Sequence, residues 1–308
     1  MDGKSKHLLS IANLDKEKII SLLDSARSFA QVSTRPIKKV PALRGRTIVN
    51  LFFEPSTRTR MSFELAAKRL SADVISFSSG SSSLSKGESL KDTAKTIVAM
   101  GVDAVVVRHS SSGVPHILSN WIDCSVINAG DGMHEHPTQA LLDLYTMRER
   151  LGRLEGLKVA IVGDIDHSRV ARSNIIALNK VGAEVLLVAP HSLLPAKIEE
   201  MGVSITGSLD EALTWCDVLY LLRIQLERVS ESRFPSLREY TLQFGLTQTR
   251  WSKCTSKPLV MHPGPMNRGV EIASVVADEV EPVITGQVAA GVAVRMAVLY
   301  DLLGGGNE

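Results

Sequence analysis

Hydroxyl and guanidinium side chains cluster in residues 54–60 (EPSTRTR), between an apolar run with strand character and an amphipathic run with helix character. Pro55 and Ser56 fit the start of a helix, where free N–H groups and the positive end of the dipole bind phosphate. The side chains that could add donors to such a site are Ser56, Thr57, Arg58 and Thr59. An ordinary capped helix with two exposed arginines explains these seven residues equally well when they are taken alone.

A second polar cluster, residues 134–139 (HEHPTQ), follows a strand and a turn, and its Pro137 again suits a helix start. Ligands of open α/β sheets bind at the carboxyl ends of strands, so His136 and Gln139 are candidates for hydrogen bonds to a carbonyl group. His134 and His136 could also suggest a metal, but no third ligand lies nearby in the sequence, which makes a metal the minority interpretation. A structural histidine with satisfied hydrogen bonds is the other alternative.

Three arginines follow predicted strands in different parts of the chain: Arg108, Arg169 and Arg223. Gln225 lies two residues after the last of them. A single arginine in such a place is most often a surface salt-bridge partner. Three arginines at three strand ends instead predict a pocket for anions, because open α/β sheets bind ligands at that edge.

Two further segments contribute polar groups. Residues 262–268 (HPGPMNR) contain two prolines and a glycine, which favour a rigid turn whose carbonyls can accept hydrogen bonds, or simply a turn that ends a strand. Residues 78–85 (SSGSSSLS) predict a surface loop, and Lys86 follows it. A lysine in such a loop is usually only solvated.

Two nucleotide-binding motifs are absent from the sequence. No GxxxxGK[ST] pattern occurs, which argues against a P-loop enzyme. The turn after the strand 158–162 reads GDIDHSR and not GxGxxG, which argues against a dinucleotide site.

The elements that must position these residues alternate between strand and helix patterns. The first series contains strands 47–53, 74–77, 103–107 and 125–127 and helices 15–30, 57–70, 89–100 and 138–151. After a polar break at 152–156 the second series contains strands 158–162, 184–188, 218–222 and 259–262 and helices 170–181 and 284–303.

This alternation predicts an α/β fold with two doubly wound parallel-sheet domains and the active site in the cleft between them. The predicted domains are residues 1–150, with the helix 284–303 packing back on them, and residues 151–283.

The composition excludes several classes of protein. The chain has 308 residues, 44% of them apolar, which is enough for two ordinary domains. A net charge of +2 argues against a nucleic-acid-binding protein and against a polybasic membrane protein. The sequence has no signal-peptide pattern and no run of about 18 apolar residues, so we expect a cytoplasmic protein that spans no membrane. Three scattered cysteines predict neither a disulfide framework nor a zinc site.

Taken together, six motifs resemble those of the aspartate/ornithine carbamoyltransferase family in order and spacing. They are STRTR at 56–60, VVVRH at 105–109, HPTQ at 136–139, GDIDHSR at 163–169, RIQ at 223–225 and HPGP at 262–265. STRTR and HPTQ are typical of both branches of the family, whereas the SxxxKGE-like loop, RxQ and HPGP are typical of the aspartate branch. The SMG-containing signature and the HCLP turn of the ornithine branch are absent from this sequence.

The resemblance implies a role for each matching residue. The residues expected to bind carbamoyl phosphate are Ser56, Thr57, Arg58, Thr59, Arg108, His136 and Gln139, with the backbone carbonyls of Gly264 and Pro265 receiving the carbamoyl NH₂. The residues expected to bind L-aspartate are Lys86, Arg169, Arg223 and Gln225. Lys86, together with Ser83 or Ser85, is expected to reach into the site of a neighbouring chain in a homotrimer with shared active sites.

The implied reaction transfers the carbamoyl group of carbamoyl phosphate to the amine of L-aspartate, a step of pyrimidine biosynthesis. The neutral amine attacks the carbamoyl carbon, and the charge on the carbonyl oxygen is stabilised by Thr59, Arg108 and His136. The leaving phosphate interacts with Arg58 and the helix N-terminus, and it can itself accept the amine proton. No cofactor, metal or nucleophilic side chain is therefore expected.

Two alternatives remain open at the level of the sequence. The first is a carbamoyltransferase for another amino acid such as ornithine. A cationic substrate side chain would need a carboxylate partner, however, and not the two arginines Arg169 and Arg223. The second is a non-catalytic regulatory protein that binds anions without turnover. The sequence does not distinguish a chain that works by itself from one bound to regulatory chains or to other pathway enzymes.

Overall fold

The computed structural model describes residues 6–78, 89–224 and 236–304. The chain forms two compact units. Unit 1 comprises Met1–Tyr145 and Val288–Glu308, and unit 2 comprises Thr146–Gln287.

Unit 1 is built on a parallel sheet whose described strands have the order β2-β1-β3-β4. Their bounds are β1 Thr47–Phe52, β2 Asp73–Ser78, β3 Ala104–His109 and β4 Ser125–Asp131. Every residue of β4 is buried, as is every residue of β1 after the first, which explains why these runs are apolar without alternation. Because all pairings are parallel, the carboxyl ends of the four strands lie at one edge of the sheet.

The helices of unit 1 begin in different ways, and two of them have an N-cap residue whose side chain accepts from the first turn. They are α1 Lys16–Ala30, α2 Thr57–Arg69, α3 Leu90–Ala99, α4 Val114–Trp121 and the first part of α5 Pro137–Leu151. Asp15 accepts a 2.7 Å hydrogen bond from the backbone N–H of Lys18, and Ser89 accepts one of 3.2 Å from Asp92. The helix α4 was not predicted. It starts after Gly113 in a left-handed conformation (φ 84°), without a side-chain cap.

Unit 2 contains a second parallel sheet, whose described strands have the order β7-β6-β5-β8-β9. Their bounds are β5 Lys158–Val162, β6 Glu184–Val188, β7 Ser204–Thr206, β8 Val218–Leu221 and β9 Leu259–Met261. The helices are α6 Arg169–Lys180, α7 Leu209–Trp215, α8 Leu237–Phe244, α9 Gln248–Lys253 and the first part of α10. The strand order reverses around β5, as in doubly wound sheets, and this confirms the predicted fold class.

The C-terminal helix α10, Ser274–Leu303, begins ten residues earlier than the predicted start at Ile284. Pro282 lies inside the helix, in the part that precedes the predicted start. In the described part of the chain, α10 is the helix that is long and apolar enough to cross a membrane by length and composition alone. Most of its apolar stretch is buried inside the fold, as in the core helix of a globular protein.

The three cysteines are all reduced, and they differ in exposure. Cys124 and Cys216 are buried, and burial raises the pKa of their thiols to about 11 and about 12 respectively. Cys254, just after α9, is half-buried.

Candidate active site

The first turn of α2 carries the predicted phosphate-binding residues. Ser56 is the N-cap in extended backbone, and its hydroxyl accepts no capping hydrogen bond from the described backbone. No acidic side chain lies in this first turn, so the positive end of the helix dipole is not offset there. Thr57 and Arg58 are exposed, whereas Thr59 is 8% exposed. This arrangement leaves hydroxyl, guanidinium and N–H donors at one helix end, which suits an anion.

Arg108 is brought to the same helix end by strand pairing. Phe52 of β1 lies opposite Arg108 of β3, and Phe53 N–H donates to the Arg108 carbonyl at 2.9 Å. The guanidinium Nη1 then contacts Thr59 Oγ1 at 3.4 Å, while Nε and Nη2 contact Glu54 Oε1 at 2.7 and 2.6 Å. Glu54 therefore orients Arg108 and leaves Nη1 directed at Thr59. Glu54 lies within the EPSTRTR segment, but no role was predicted for it.

His136 and Gln139 follow β4, which neighbours β3, so they lie at the same carboxyl edge of the sheet. His136 is 3% exposed, and its carbonyl accepts from the Gln139 N–H at 2.9 Å. Gln139 Nε2 donates to Asp143 Oδ1 at 3.1 Å, one helical turn further along α5. His136 and Gln139 therefore lie together at the start of α5, and Pro137 begins that helix as predicted.

His134 belongs to a hydrogen-bond network around the buried carboxylate of Asp131. Its Nδ1 lies 3.1 Å from Asp131 Oδ2, a carboxylate that also accepts from the N–H of Gly113 at 2.7 Å and from Asn128 Nδ2 at 2.8 Å. No group of three or more histidine, cysteine, aspartate or glutamate side chains suited to a metal is found among residues 6–78, 89–224 and 236–304.

A buried arginine that was not predicted, Arg295, packs against α2. Arg295 on α10 is 3% exposed, donates from Nη1 to Ser62 Oγ at 2.9 Å, and lies over the ring of Phe63 at 5.1 Å. Burial and then the positive charge of Arg108 lower the pKa of Arg295, while Asp143 opposes that shift. The available signal was that Arg295 is the one charged residue in the apolar run 284–300.

In unit 2, Arg169 stands at the start of α6, directly after the N-cap Ser168. The side chain is 5% exposed, an unusual degree of burial for an arginine. The turn before it is fixed by Asp164, whose Oδ1 accepts from the His167 N–H at 3.2 Å and lies 2.8 Å from His167 Nδ1. The burial of Arg169 argues against the alternative that it is a surface salt-bridge partner.

Arg223 follows β8, and the next residue contacts the turn after β9. The Ile224 carbonyl lies 3.5 Å from Asn267 Nδ2, which belongs to the predicted HPGP turn. Gly264 is in a left-handed conformation (φ 63°), and its peptide bond to Pro265 is cis. The structure thus joins Arg223 and the HPGP turn at the carboxyl edge of the second sheet. Lys86, Ser83, Ser85 and Gln225 lie outside the described residues.

Family models match both parts of the chain. The model described as the carbamoyl-P binding domain of aspartate/ornithine carbamoyltransferase matches residues 6–149. The model described as its Asp/Orn binding domain matches residues 155–302. The chain belongs to the aspartate/ornithine carbamoyltransferase family. The family that the six motifs predicted is therefore confirmed.

Full-length relatives carry the name of the aspartate branch. The chain is 59% identical over 300 residues to the aspartate carbamoyltransferase catalytic subunit of Thermobifida fusca, covering 97% of this chain and 96% of the relative. It is 57% identical over 301 residues to that of Halothermothrix orenii, covering 98% and 96%.

Solved structures of this family share the fold. Aspartate transcarbamoylase of Trypanosoma cruzi, in complex with carbamoyl phosphate and aspartate, has 32% identity, a TM-score of 0.88 and 98% coverage of both chains. The catalytic subunit of M. jannaschii aspartate transcarbamoylase has 37% identity and a TM-score of 0.85, and the match covers 97% of this chain and 98% of that chain.

Proposed function

We propose that this chain transfers the carbamoyl group of carbamoyl phosphate to the amine of L-aspartate, giving N-carbamoyl-L-aspartate and phosphate. The observation that carries this proposal is the contact of Arg108 with Thr59 at the N-terminus of α2. It places a guanidinium and a hydroxyl beside the first turn of a helix, where a phosphate and a developing oxyanion both find donors. Relatives that match the full chain at 59% identity are named for the same activity.

Unit 1 is proposed to bind carbamoyl phosphate. The phosphate would interact with Arg58 and with the hydroxyls and N–H groups at the start of α2, because a bidentate guanidinium and a helix N-terminus both favour phosphate oxygens. Thr59, Arg108 and His136 would stabilise the negative charge that builds on the carbonyl oxygen during attack. Gln139, held by Asp143, would contact the carbamoyl end.

Unit 2 is proposed to bind L-aspartate. Arg169 and Arg223 would bind the two carboxylates, since guanidinium groups recognise carboxylates with two parallel hydrogen bonds. Gln225 would assist them, and the carbonyls of Gly264 and Pro265 would accept from the carbamoyl NH₂. Binding both substrates in one orientation removes several kcal/mol from the barrier, so the chain needs no covalent intermediate.

The proposed assembly is a homotrimer in which Lys86 of one chain completes the site of its neighbour. Support comes from the family resemblance and from exposed apolar side chains on one part of unit 1. Met61 and Leu65 lie one turn apart on α2, and Ile75 lies on the edge strand β2; all three are more than 40% exposed. Another protein chain on this surface would remove apolar area from water. The proposed location is the cytoplasm, and the proposed pathway is pyrimidine biosynthesis.

The test is a colorimetric assay for N-carbamoyl-L-aspartate with the purified chain, together with its mass in solution. We expect product from carbamoyl phosphate and L-aspartate, and little from L-ornithine, because a cationic side chain would face Arg169 and Arg223. Turnover of ornithine in preference to aspartate would replace the proposal with the ornithine activity. Binding of carbamoyl phosphate without any product would favour the non-catalytic anion-binding protein.

A further inference from the structure

A buried histidine and a buried glutamate enclose the turn that follows β9. His262 is 2% exposed and Glu271 is 1% exposed, and they lie nine residues apart on either side of the turn. His262 Nε2 lies 3.2 Å from Glu271 Oε1. The pair is therefore a contact that closes residues 262–271 into a loop at the carboxyl edge of the second sheet.

The hydrogen bonds of His262 determine its tautomer. Its Nδ1 accepts from the N–H of Gly264 at 2.8 Å, and a nitrogen that accepts cannot carry a proton. The ring proton consequently lies on Nε2, which donates it to Glu271. The His262 N–H is held as well, by Gln287 Oε1 at 3.0 Å. The imidazole is thus a neutral link between the Gly264 backbone and the Glu271 carboxylate.

Glu271 holds the other end of the turn. Its Oε1 accepts a second bond, 2.5 Å from the Asn267 N–H, and its own backbone carbonyl accepts from the Leu246 N–H at 3.0 Å. The side chain of Asn267 lies 3.5 Å from the carbonyl of Ile224, the residue after Arg223. One carboxylate oxygen therefore connects the backbone around Gly264 with the backbone around Arg223.

We infer that His262 and Glu271 are positioning residues, which set the direction of the Gly264 and Pro265 carbonyls and, through Asn267, the backbone that carries Arg223. The inference rests on the proposed function, in which those carbonyls receive the carbamoyl NH₂ and Arg223 binds aspartate. Neither His262 nor Glu271 needs to touch a substrate. Their effect is to keep two recognition elements of unit 2 in fixed relation to each other.

The chemistry of the pair favours positioning over simple stabilisation. A carboxylate buried in this way loses its hydration, and Glu271 Oε2 makes no hydrogen bond with the described residues. Two apolar side chains of similar volume would fill the same space without that desolvation cost. Apolar side chains, however, could not accept hydrogen bonds from the N–H groups of Gly264 and Asn267. Those bonds hold the backbone and so orient the carbonyls that lie between the two residues.

The experiment compares four variants in the full chain: Glu271→Leu, Glu271→Gln, His262→Asn and, as a matched control, Asn179→Ala. Glu271→Gln keeps an acceptor for both donors, and His262→Asn keeps an acceptor for Gly264 but loses the donor to Glu271. Asn179 Nδ2 donates to the Met201 carbonyl at 2.6 Å, so the control removes a side-chain-to-backbone bond elsewhere in the same unit.

The readouts are the ratio of Kd for inorganic phosphate to Kd for carbamoyl phosphate, the KM for aspartate, kcat, and Tm. For Glu271→Leu and His262→Asn we expect that ratio to fall about tenfold, because only carbamoyl phosphate presents an NH₂ to the turn. We also expect kcat to fall about 10–100-fold and the aspartate KM to rise. Glu271→Gln is expected to restore most of each loss. Asn179→Ala is expected to lower Tm while leaving the ratio unchanged.

A folded Glu271→Leu or His262→Asn variant with a wild-type ratio and wild-type aspartate KM would overturn the inference, whatever its Tm. If Glu271→Leu does not fold, His262→Asn decides the question. The binding ratio requires no turnover, so it separates the two proposals. A wild-type chain that binds carbamoyl phosphate more tightly than phosphate but makes no product would contradict the proposed function alone. Equal binding of both ligands by the wild type would contradict the positioning inference.

Discussion

Arg295 on α10 donates a 2.9 Å hydrogen bond from Nη1 to the hydroxyl of Ser62, one turn along α2 from Thr59. The same guanidinium lies over the Phe63 ring, so a desolvated positive charge fastens the C-terminal helix to the helix that carries the phosphate site. Gly291, one turn before Arg295, makes the room: a Cβ there would lie 2.5 Å from Nη1 and 3.2 Å from Leu142 Cδ2.

Gly291→Ala is therefore expected to lower the free energy of unfolding by about 1–3 kcal/mol, because the displaced guanidinium loses its partner in a closely packed place. Urea unfolding measures this. The control is Gly286→Ala in the same helix, where a Cβ would be 3.4 Å from Arg150 Nη2 and the helix propensity of alanine should dominate. Equal stability of the two variants would contradict the packing argument.

Arg58→Ala should abolish turnover with little loss of stability, since Arg58 is exposed at the start of α2 and its guanidinium is proposed to bind the phosphate. The measurement is kcat and the KM for carbamoyl phosphate. Arg60→Ala, which removes an equal charge from the same turn, serves as the control. Near-normal constants for Arg58→Ala would show that the phosphate lies elsewhere.

Arg223→Ala should raise the aspartate KM and lower kcat while leaving carbamoyl phosphate binding largely intact, because Arg223 belongs to unit 2 and the proposed phosphate site to unit 1. Steady-state kinetics with each substrate varied in turn, and calorimetry with carbamoyl phosphate, test both halves of this expectation. Arg172→Ala, an exposed arginine on α6, is the matched control. An unchanged aspartate KM with an unchanged kcat would remove Arg223 from the site.

EDTA should leave the activity of the isolated chain unchanged. His134 is bonded to Asp131, and the three cysteines are far apart in the sequence, so the proposed reaction uses no metal. The assay is N-carbamoyl-L-aspartate formation before and after chelation. Activity that disappears with EDTA and returns with a divalent cation would overturn the metal-free mechanism.

Mixing two inactive variants tests the shared site. In the proposed homotrimer, Arg58→Ala and Lys86→Ala would each spoil one side of every site. Subunit exchange would then create mixed trimers in which one interface pairs an intact Arg58 with an intact Lys86. Cyclic symmetry then gives about one native site in each mixed trimer. Exchange verified by mass without any return of activity would restrict Lys86 to its own chain or to no role.

Local signals in the sequence predicted the elements that carry the site. The start of α2 followed from Ser56, and the start of α5 from Pro137. The helix α4 was missed because it begins after a left-handed glycine and has no side-chain cap. The start of α10 was placed ten residues too late; a proline usually ends or interrupts a helix, whereas α10 continues through Pro282.

Side-chain contacts that depend on the tertiary fold were beyond prediction. Glu271 and His262 meet only because the turn folds back, and Arg295 reaches Ser62 across 233 positions of sequence. Local propensity carries no signal for such contacts. The motif residues were recognisable by their types. The contact between Arg108 and Thr59 was not, because it depends on the pairing of β1 with β3.

Because the three thiols differ in burial, one of them can be labelled selectively in the native chain. Maleimides react with thiolates, and the raised pKa values of Cys124 and Cys216 leave almost no thiolate there at neutral pH. Cys254 is the more accessible thiol, and it lies five residues before β9, the strand that leads to His262. A fluorophore attached at Cys254 would place an optical probe on the polypeptide segment that ends in the HPGP turn, without any engineered cysteine.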